Sequence, residues 1–140
     1  MFKLIKIMNS GVNVPEVEKL NCDTSTISEA GTCAYYDKSY GQLLMCGDTQ
    51  TPTHVLLQNI NEGDSLVLCY SVLPQMIFET TLIGDPTPLY EGMTVKLVTD
   101  NNIGTYAVSD VEGGSATIYS LQDAKKSGDK ILVIFDGRNN

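Results

Sequence analysis

The 140-residue sequence has no tryptophan and only one histidine, and it carries seventeen acidic residues against nine basic ones. An acidic surface repels phosphate backbones, so the charge argues against nucleic-acid binding. A nucleophile–histidine pair would have to use His54, and no catalytic motif surrounds it. A structural role at the start of a strand is therefore predicted for His54. No apolar run approaches the roughly 20 residues of a membrane-spanning helix, and lysines interrupt the N-terminal apolar stretch, so neither membrane association nor a signal peptide is predicted.

The sequence also lacks recognisable site motifs. It contains four cysteines, Cys22, Cys33, Cys46 and Cys69, whose spacing fits no zinc ribbon or redox pair. Without a secretory signal, free and mostly buried thiols are the favoured interpretation, with two disulfides as the alternative. Phosphate-binding loops, dinucleotide glycine motifs and nucleophile elbows are absent. We therefore predict no catalytic, cofactor-binding or metal site, no cofactor, and a protein that is not an enzyme.

Strand patterns dominate the sequence, and helical patterns are scarce. Two segments, 13–19 and 123–128, have the features of a single helical turn, and neither is long enough to organise a domain. The rest of the chain consists of short runs of apolar or alternating apolar and polar residues, separated by turn residues. They predict an all-β fold with ten strands, at 2–8, 31–36, 42–45, 54–59, 65–72, 76–83, 94–98, 105–108, 116–121 and 130–135.

Two segments occur twice in a similar form. GDSLVLC at 63–69 matches GDKILVI at 128–134, and GTCAY at 31–35 matches GMTVK at 92–96. The offsets of 65 and 61 positions differ by a small indel. The repeat predicts two related β modules in tandem, and the alternative is coincidence, because Gly-Asp is common turn chemistry.

Prolines at positions 86 and 88 indicate the boundary between the modules. The predicted organisation is an N-terminal arm at 1–28, a first β module at 29–83, a linker at 84–90 and a second module at 91–140. Each module is expected to be a small antiparallel β-barrel-like or sandwich lobe.

The N-terminal arm differs in charge from the rest of the chain. Residues 1–20 hold three lysines and two glutamates, net +1, and the other six basic and fifteen acidic residues give −9. We predict that residues 1–8 pair with the sheet edge of a neighbouring subunit. The buried contact would come from Phe2, Leu4, Ile5 and Ile7, and the body of the protein would not need this strand for its own stability.

The stretch from 31 to 80 resembles the capsid decoration, or cement, proteins of tailed bacteriophages. The resemblance lies in a glycine-led strand, a short second strand, a proline followed by a strand, a Gly-Asp turn with an aliphatic strand, and an apolar strand carrying a glutamate. These elements are GTCA at 31–34, QLLM at 42–45, PTHV at 52–55, GD at 63–64 with 66–70, and MIFET at 76–80. The glycine-led segment at 92–98 and the closing strand at 128–135 continue the pattern.

The resemblance implies a structural virion protein, made in the host cytoplasm, that binds the outer surface of the assembled major-capsid lattice and reinforces it without catalysis. Its partners would be the major capsid protein and other copies of itself. Two other functions remain open: a surface adhesin or glycan-binding β module, for which Tyr35, Tyr36 and Tyr40 would form the platform, and a small β-barrel hydrolase.

Overall fold

The computed structural model describes residues 1–8, 14–23, 29–61 and 63–137, and within these ranges it contains eleven strands and no helix. The all-β prediction is confirmed. The strands are β1 Lys3–Ile7, β2 Val17–Asn21, β3 Cys33–Asp37, β4 Gln42–Met45, β5 His54–Leu56, β6 Leu66–Ser71, β7 Met76–Ile83, β8 Thr94–Asp100, β9 Gly104–Glu112, β10 Ala116–Ser120 and β11 Lys130–Ile134. Ten were predicted as strands. The exception is β2, because part of it was predicted as a helical turn.

The first half of the chain forms a five-stranded circuit. Antiparallel ladders join β4 to β3, β3 to β5, β5 to β6, and β6 to β2. A parallel bridge between Cys22, directly after β2, and Leu43 on β4 closes the circuit. We call this the first barrel.

The second half repeats this circuit strand for strand. Antiparallel ladders join β9 to β8, β8 to β10, β10 to β11, and β11 to β7. The closing contact is again parallel, between β7 and β9, where Leu82 is the partner of Val108. We call this the second barrel. The two barrels therefore share one strand order, and the repeat is structural. Ladder register makes Cys69 equivalent to Val133, an offset of 64, so the sequence match of 63–69 to 128–134 is out of register by one residue within these strands.

The turns that precede the repeated strands are also equivalent. Gly63 and Gly128 both have positive φ, 89° and 99°, a conformation that glycine adopts without steric cost. After each glycine, an aspartate carboxylate accepts a backbone N–H: Asp64 from Asn61 at 2.8 Å, and Asp129 from Lys126 at 3.1 Å. Each Gly-Asp turn therefore precedes the last strand of its barrel in chain order, β6 or β11.

Six interior positions of the first barrel have buried counterparts in the second. The first set forms a cluster of its own and is rich in small and sulfur-containing side chains: Cys22, Ala34, Leu43, Leu56, Val67 and Cys69. The corresponding second set is aliphatic throughout: Leu82, Val95, Val108, Ile118, Ile131 and Val133. The same scaffold thus encloses two interiors of different chemistry.

The two barrels are joined rather than separate. Cys33 on β3 pairs with Thr105 on β9, which makes the sheet continuous. The segment after β4 also contacts the second barrel, because the Leu97 N–H donates to the Asp48 carbonyl at 2.8 Å and the Ser115 hydroxyl to that of Gln50 at 2.9 Å. The larger core cluster contains residues of both barrels. The two lobes therefore share a core.

The predicted domain boundaries need correction. Strand β2 lies in the predicted arm yet belongs to the first barrel, and β7 lies in the predicted first module yet belongs to the second barrel. Segment 84–90 connects two strands of the second barrel and is not a linker between modules. The division falls between β6 and β7 instead. The reason is that the first strand of each barrel, β2 or β7, completes the circuit of strands that come after it in the chain.

The predicted free arm also needs correction. Strand β1 pairs with β7 of its own chain, with Leu4 opposite Phe78 and Ile7 opposite Met76. The Phe2 N–H donates to the Gly31 carbonyl at 2.6 Å, and the Met8 N–H to the Gln75 carbonyl at 2.8 Å. Residues 1–8 are therefore an added strand of the second barrel. The rest of the predicted arm includes residues 9–13 and 24–28, which lie outside the described ranges.

Candidate functional site

Strand β1 ends the sheet, and the four predicted contact residues point in different directions. Phe2 and Ile7 are buried in the core, Leu4 is partly buried against it, and Ile5 is exposed. The register of the β1–β7 ladder shifts at Ile5. A bulge and flanking lysines are features by which edge strands limit further pairing. Of these four residues, only Ile5 and part of Leu4 therefore remain accessible to a partner.

Two clefts lie beside β1 and share Val14 and Pro15 as a common wall. The larger, of about 620 Å³, has a mixed lining of apolar and polar side chains: Ile7, Met8, Val17, Leu73 and Met76 with Glu16, Glu18, Ser71 and Gln75. The smaller, of about 420 Å³, is lined by residues that include Phe2, Leu4, Leu57 and Tyr70. Val14 is 73% exposed and Val17 is 52% exposed. We call the surface made by Val14, Val17, Leu57 and Leu73 the apolar face.

The charge near the apolar face differs from the charge of the whole protein. Lys3 and Lys6 lie exposed on β1, and Lys19 lies exposed on β2. The complete chain has a net charge of −8. Glu16 and Glu18, on either side of Val17, are also exposed and line the larger cleft, so charges of both signs border the apolar face.

A polar cluster lies at one end of the first barrel, where β2, β5 and β6 are neighbours. His54 Nε2 is 2.8 Å from Glu18 Oε1, and His54 Nδ1 is 2.8 Å from the Thr53 hydroxyl. The Ser71 hydroxyl donates to Glu18 Oε1 at 3.2 Å, and the Cys69 thiol donates to the Glu18 carbonyl oxygen at 3.6 Å. His54 and Cys69 are buried, and Glu18 is exposed. We call Glu18, His54, Cys69 and Ser71 the polar cluster.

The second barrel has no such cluster at the equivalent positions. The ladder pair Glu18–Cys69 of the first barrel corresponds to the ladder pair Phe78–Val133 of the second. His54 corresponds to Ala116. By the same register the counterpart of Ser71 is Phe135. Phe2 packs against Phe78 and Phe135 at centroid distances of 6.5 and 5.9 Å. Aromatic rings thus fill the end of the second barrel that corresponds to the polar end of the first.

All four cysteines are buried and free, as the preferred interpretation expected. Burial raises the pKa of the Cys46 thiol to about 12 and that of the Cys69 thiol to about 11. Because the nucleophilic form is the thiolate, these thiols are poor nucleophiles near neutral pH. Cys69 and His54 therefore do not form an activated nucleophile–base pair.

The three tyrosines of the glycan-binding alternative do not form a common platform. Tyr35 and Tyr36 are adjacent on β3, so their side chains project from opposite faces. Tyr36 packs against the interior cluster of the first barrel, and Tyr40 is exposed in the following turn. A carbohydrate stacking surface made of all three rings is therefore excluded.

Comparison with known proteins identifies no relative of this chain. No family model, no curated protein and no solved structure matches it. Among the described residues no helix is long and apolar enough to span a membrane.

Sequence reasoning missed the polar cluster and the role of β2 within it. Glu18 is 36 positions from His54 and 51 from Cys69, so no local motif joins them. The cluster becomes evident when the two barrels are aligned by ladder register. Each of its residues then has an apolar residue at the equivalent position of the second barrel.

Proposed function

We propose that this protein is a structural virion component that binds the outer surface of an assembled major-capsid lattice and reinforces it. The observation that carries the proposal is the apolar face beside β1. A rigid double barrel presents exposed Val14, Val17 and Leu57 together, next to the lysines of β1. Contiguous apolar surface rimmed by charge is typical of protein-binding sites.

The mode of contact follows from how β1 is held. Because β1 already pairs with β7 and carries a bulge at Ile5, side chains of the apolar face would provide the contact, instead of a strand added to a neighbour. Burial of one such side chain contributes about 1.5–3 kcal/mol. A repetitive lattice offers many equivalent positions, so a modest interface per copy is sufficient if one copy bridges several subunits.

The charge and the thiols agree with a non-catalytic role outside a capsid. A net charge of −8 disfavours contact with packaged nucleic acid and favours the outer surface. The buried thiols with raised pKa values offer no ready nucleophile. The partners proposed are the major capsid protein and neighbouring copies of this chain, with neither nucleic acid nor membrane involved.

Co-sedimentation tests the proposal, using empty capsids assembled from the major capsid protein of the same virus. The test variant is Val17→Asp, which places a charge on the apolar face. The matched control is Val111→Asp on β9, since Val111 is 49% exposed and Val17 is 52% exposed. Both variants should fold, as judged by circular dichroism.

We expect the wild type and Val111→Asp to co-sediment, and Val17→Asp to lose at least tenfold in affinity. If the wild type does not bind these capsids, the decoration function is wrong. If Val17→Asp binds as tightly as the control, the apolar face is not the contact surface.

A further inference from the structure

We propose that the polar cluster of the first barrel is a binding site for a divalent transition-metal ion of the zinc class, with Glu18, His54 and Cys69 as ligands. The site is independent of the capsid-binding function proposed above. It combines one imidazole nitrogen, one thiol sulfur and one carboxylate oxygen, and a nitrogen–sulfur–oxygen set of this kind suits zinc.

The ligand atoms are already grouped. The candidate atoms of Glu18, His54 and Cys69 all lie within 4.8 Å of one another. Zinc binds such ligands at about 2.0–2.3 Å in a tetrahedral arrangement, so neighbouring ligand atoms end about 3–4 Å apart. Coordination would require the cluster to contract from its present separation. His54 Nε2, now 2.8 Å from Glu18 Oε1, would turn its lone pair to the ion.

The surroundings of His54 favour the required orientation. Its Nδ1 is 2.8 Å from the Thr53 hydroxyl, and that hydroxyl accepts the Tyr36 N–H at 2.7 Å. Beside the Glu18 carboxylate, Nε2 carries the ring proton, and Nδ1 accepts from the Thr53 hydroxyl. Coordination requires the other tautomer, in which Nδ1 donates to the Thr53 oxygen and Nε2 offers its lone pair to the ion. Ligating histidines commonly donate their other ring N–H to such a partner, which holds the ring in place.

The site is open on one side. Glu18 and Ser71 both line the larger cleft, and Glu18 is exposed. An ion can therefore enter from the cleft, and the fourth position faces it, where a water molecule or the Ser71 hydroxyl can complete the tetrahedron. Three protein ligands with one open position is a known arrangement for zinc.

The second barrel shows that the fold itself does not require these residues. At the equivalent positions Phe78, Ala116 and Val133 complete the same strand circuit with apolar side chains. Buried polar groups are costly unless they gain specific partners. Their hydrogen bonds to one another and to Thr53 offset that cost, and the apolar second barrel shows that closure of the strand circuit does not explain their presence.

Binding would be coupled to proton release. The ion replaces the proton of the Cys69 thiol, which passes to solvent, and forms a metal–sulfur bond without any change in oxidation state.

Cobalt(II) provides the direct test, because a cobalt–thiolate bond produces a charge-transfer absorption in the near ultraviolet. Full-length protein is stripped with a chelator, titrated with Co²⁺, and then titrated with Zn²⁺ in competition. The test variants are Cys69→Ala and Glu18→Ala. The control is Cys22→Ala, which removes another thiol from the interior of the same barrel. Circular dichroism confirms that each variant is folded.

We expect one equivalent of Co²⁺ to produce the charge-transfer band in the wild type and in Cys22→Ala, and Zn²⁺ to abolish it. The band should vanish in Cys69→Ala. Glu18→Ala, which removes one ligand and also the acceptor of His54 and Ser71, should weaken binding at least tenfold. Absence of the band in the wild type, its persistence in Cys69→Ala, or unchanged affinity in Glu18→Ala would each overturn the proposal. These outcomes do not depend on capsid binding.

Discussion

The Asp129 carboxylate organises the turn before β11. It accepts the backbone N–H of Lys125 at 2.8 Å and that of Lys126 at 3.1 Å. These hydrogen bonds stabilise the charged form, and they lower the pKa of this carboxyl below its usual value of 3.8. A lowered pKa in the folded state means that the ionised carboxylate stabilises the fold at pH values above the ordinary carboxyl pKa. That contribution is lost as the pH falls through the folded-state pKa.

Replacement of Asp129 by asparagine should therefore destabilise the protein at pH 7 more than at pH 3. Denaturant unfolding at both pH values measures the two free energies. Asp48→Asn, at another exposed loop position, serves as the control and should show little effect at either pH. If Asp129→Asn lowers the free energy of unfolding equally at the two pH values, the charge-assisted hydrogen bonds are not the cause of the destabilisation.

Gly114 lies where a side chain cannot fit. A Cβ atom there would be 2.0 Å from the Val95 carbonyl oxygen and 2.3 Å from the Lys96 Cα, and both are backbone atoms that cannot rotate away. Gly113 has the opposite character: open space surrounds it, but its φ is +96°.

We predict that Gly114→Ala destabilises the fold by about 3 kcal/mol or more, because it separates β8 from the chain that leads into β10. Gly113→Ala should cost about 1–2 kcal/mol, the strain of a side chain at positive φ. Urea unfolding of both variants gives the comparison. A Gly114→Ala variant no less stable than Gly113→Ala would show that the close backbone approach is not needed.

Among the elements, β1 is an integral strand, because Phe2 joins the ring cluster of Phe78 and Phe135 at the end of the second barrel. Phe2→Ala should lower the free energy of unfolding by about 3–5 kcal/mol, since it leaves a cavity between two rings. Ile5→Ala, at an exposed position within β1, should change it by about 0.5 kcal/mol or less.

Chemical denaturation of the two variants distinguishes a structural strand from a dispensable arm. If both variants lose a similar, small amount of unfolding free energy, the dispensable-arm interpretation would be supported and the β1–β7 ladder would not matter for stability. A large loss confined to Phe2→Ala agrees with the structure.

At the scale of the whole molecule, the shared core should make the two barrels unfold together. All four cysteines lie in the first barrel, whereas the larger cluster draws on both barrels. Thiol labelling therefore reports the first barrel, and circular dichroism reports both.

We expect the two signals to have the same midpoint in a guanidinium titration, as in a two-state transition. Thiols that become reactive at lower denaturant than the loss of strand signal would instead indicate that the first barrel unfolds by itself. The interface at Cys33 and Thr105 would then be weaker than the continuous sheet suggests.

Some features of this protein were determined by the sequence alone. Apolar runs and turn residues predicted ten strands and no long helix, and the two Gly-Asp turns predicted the repeat. These features depend on neighbouring residues, because a glycine at positive φ and an aspartate that accepts a nearby N–H act within a few positions.

Other features were decided only by the tertiary structure. The strand β2 has the polar sequence VEKLN, and it becomes a strand because it pairs with β6, about fifty positions away. The same closure moves the module boundary to the β6–β7 connection. It also brings Glu18, His54 and Cys69 together from three strands. Register between distant strands depends on burial of one face against the rest of the fold, so no local pattern could have determined it.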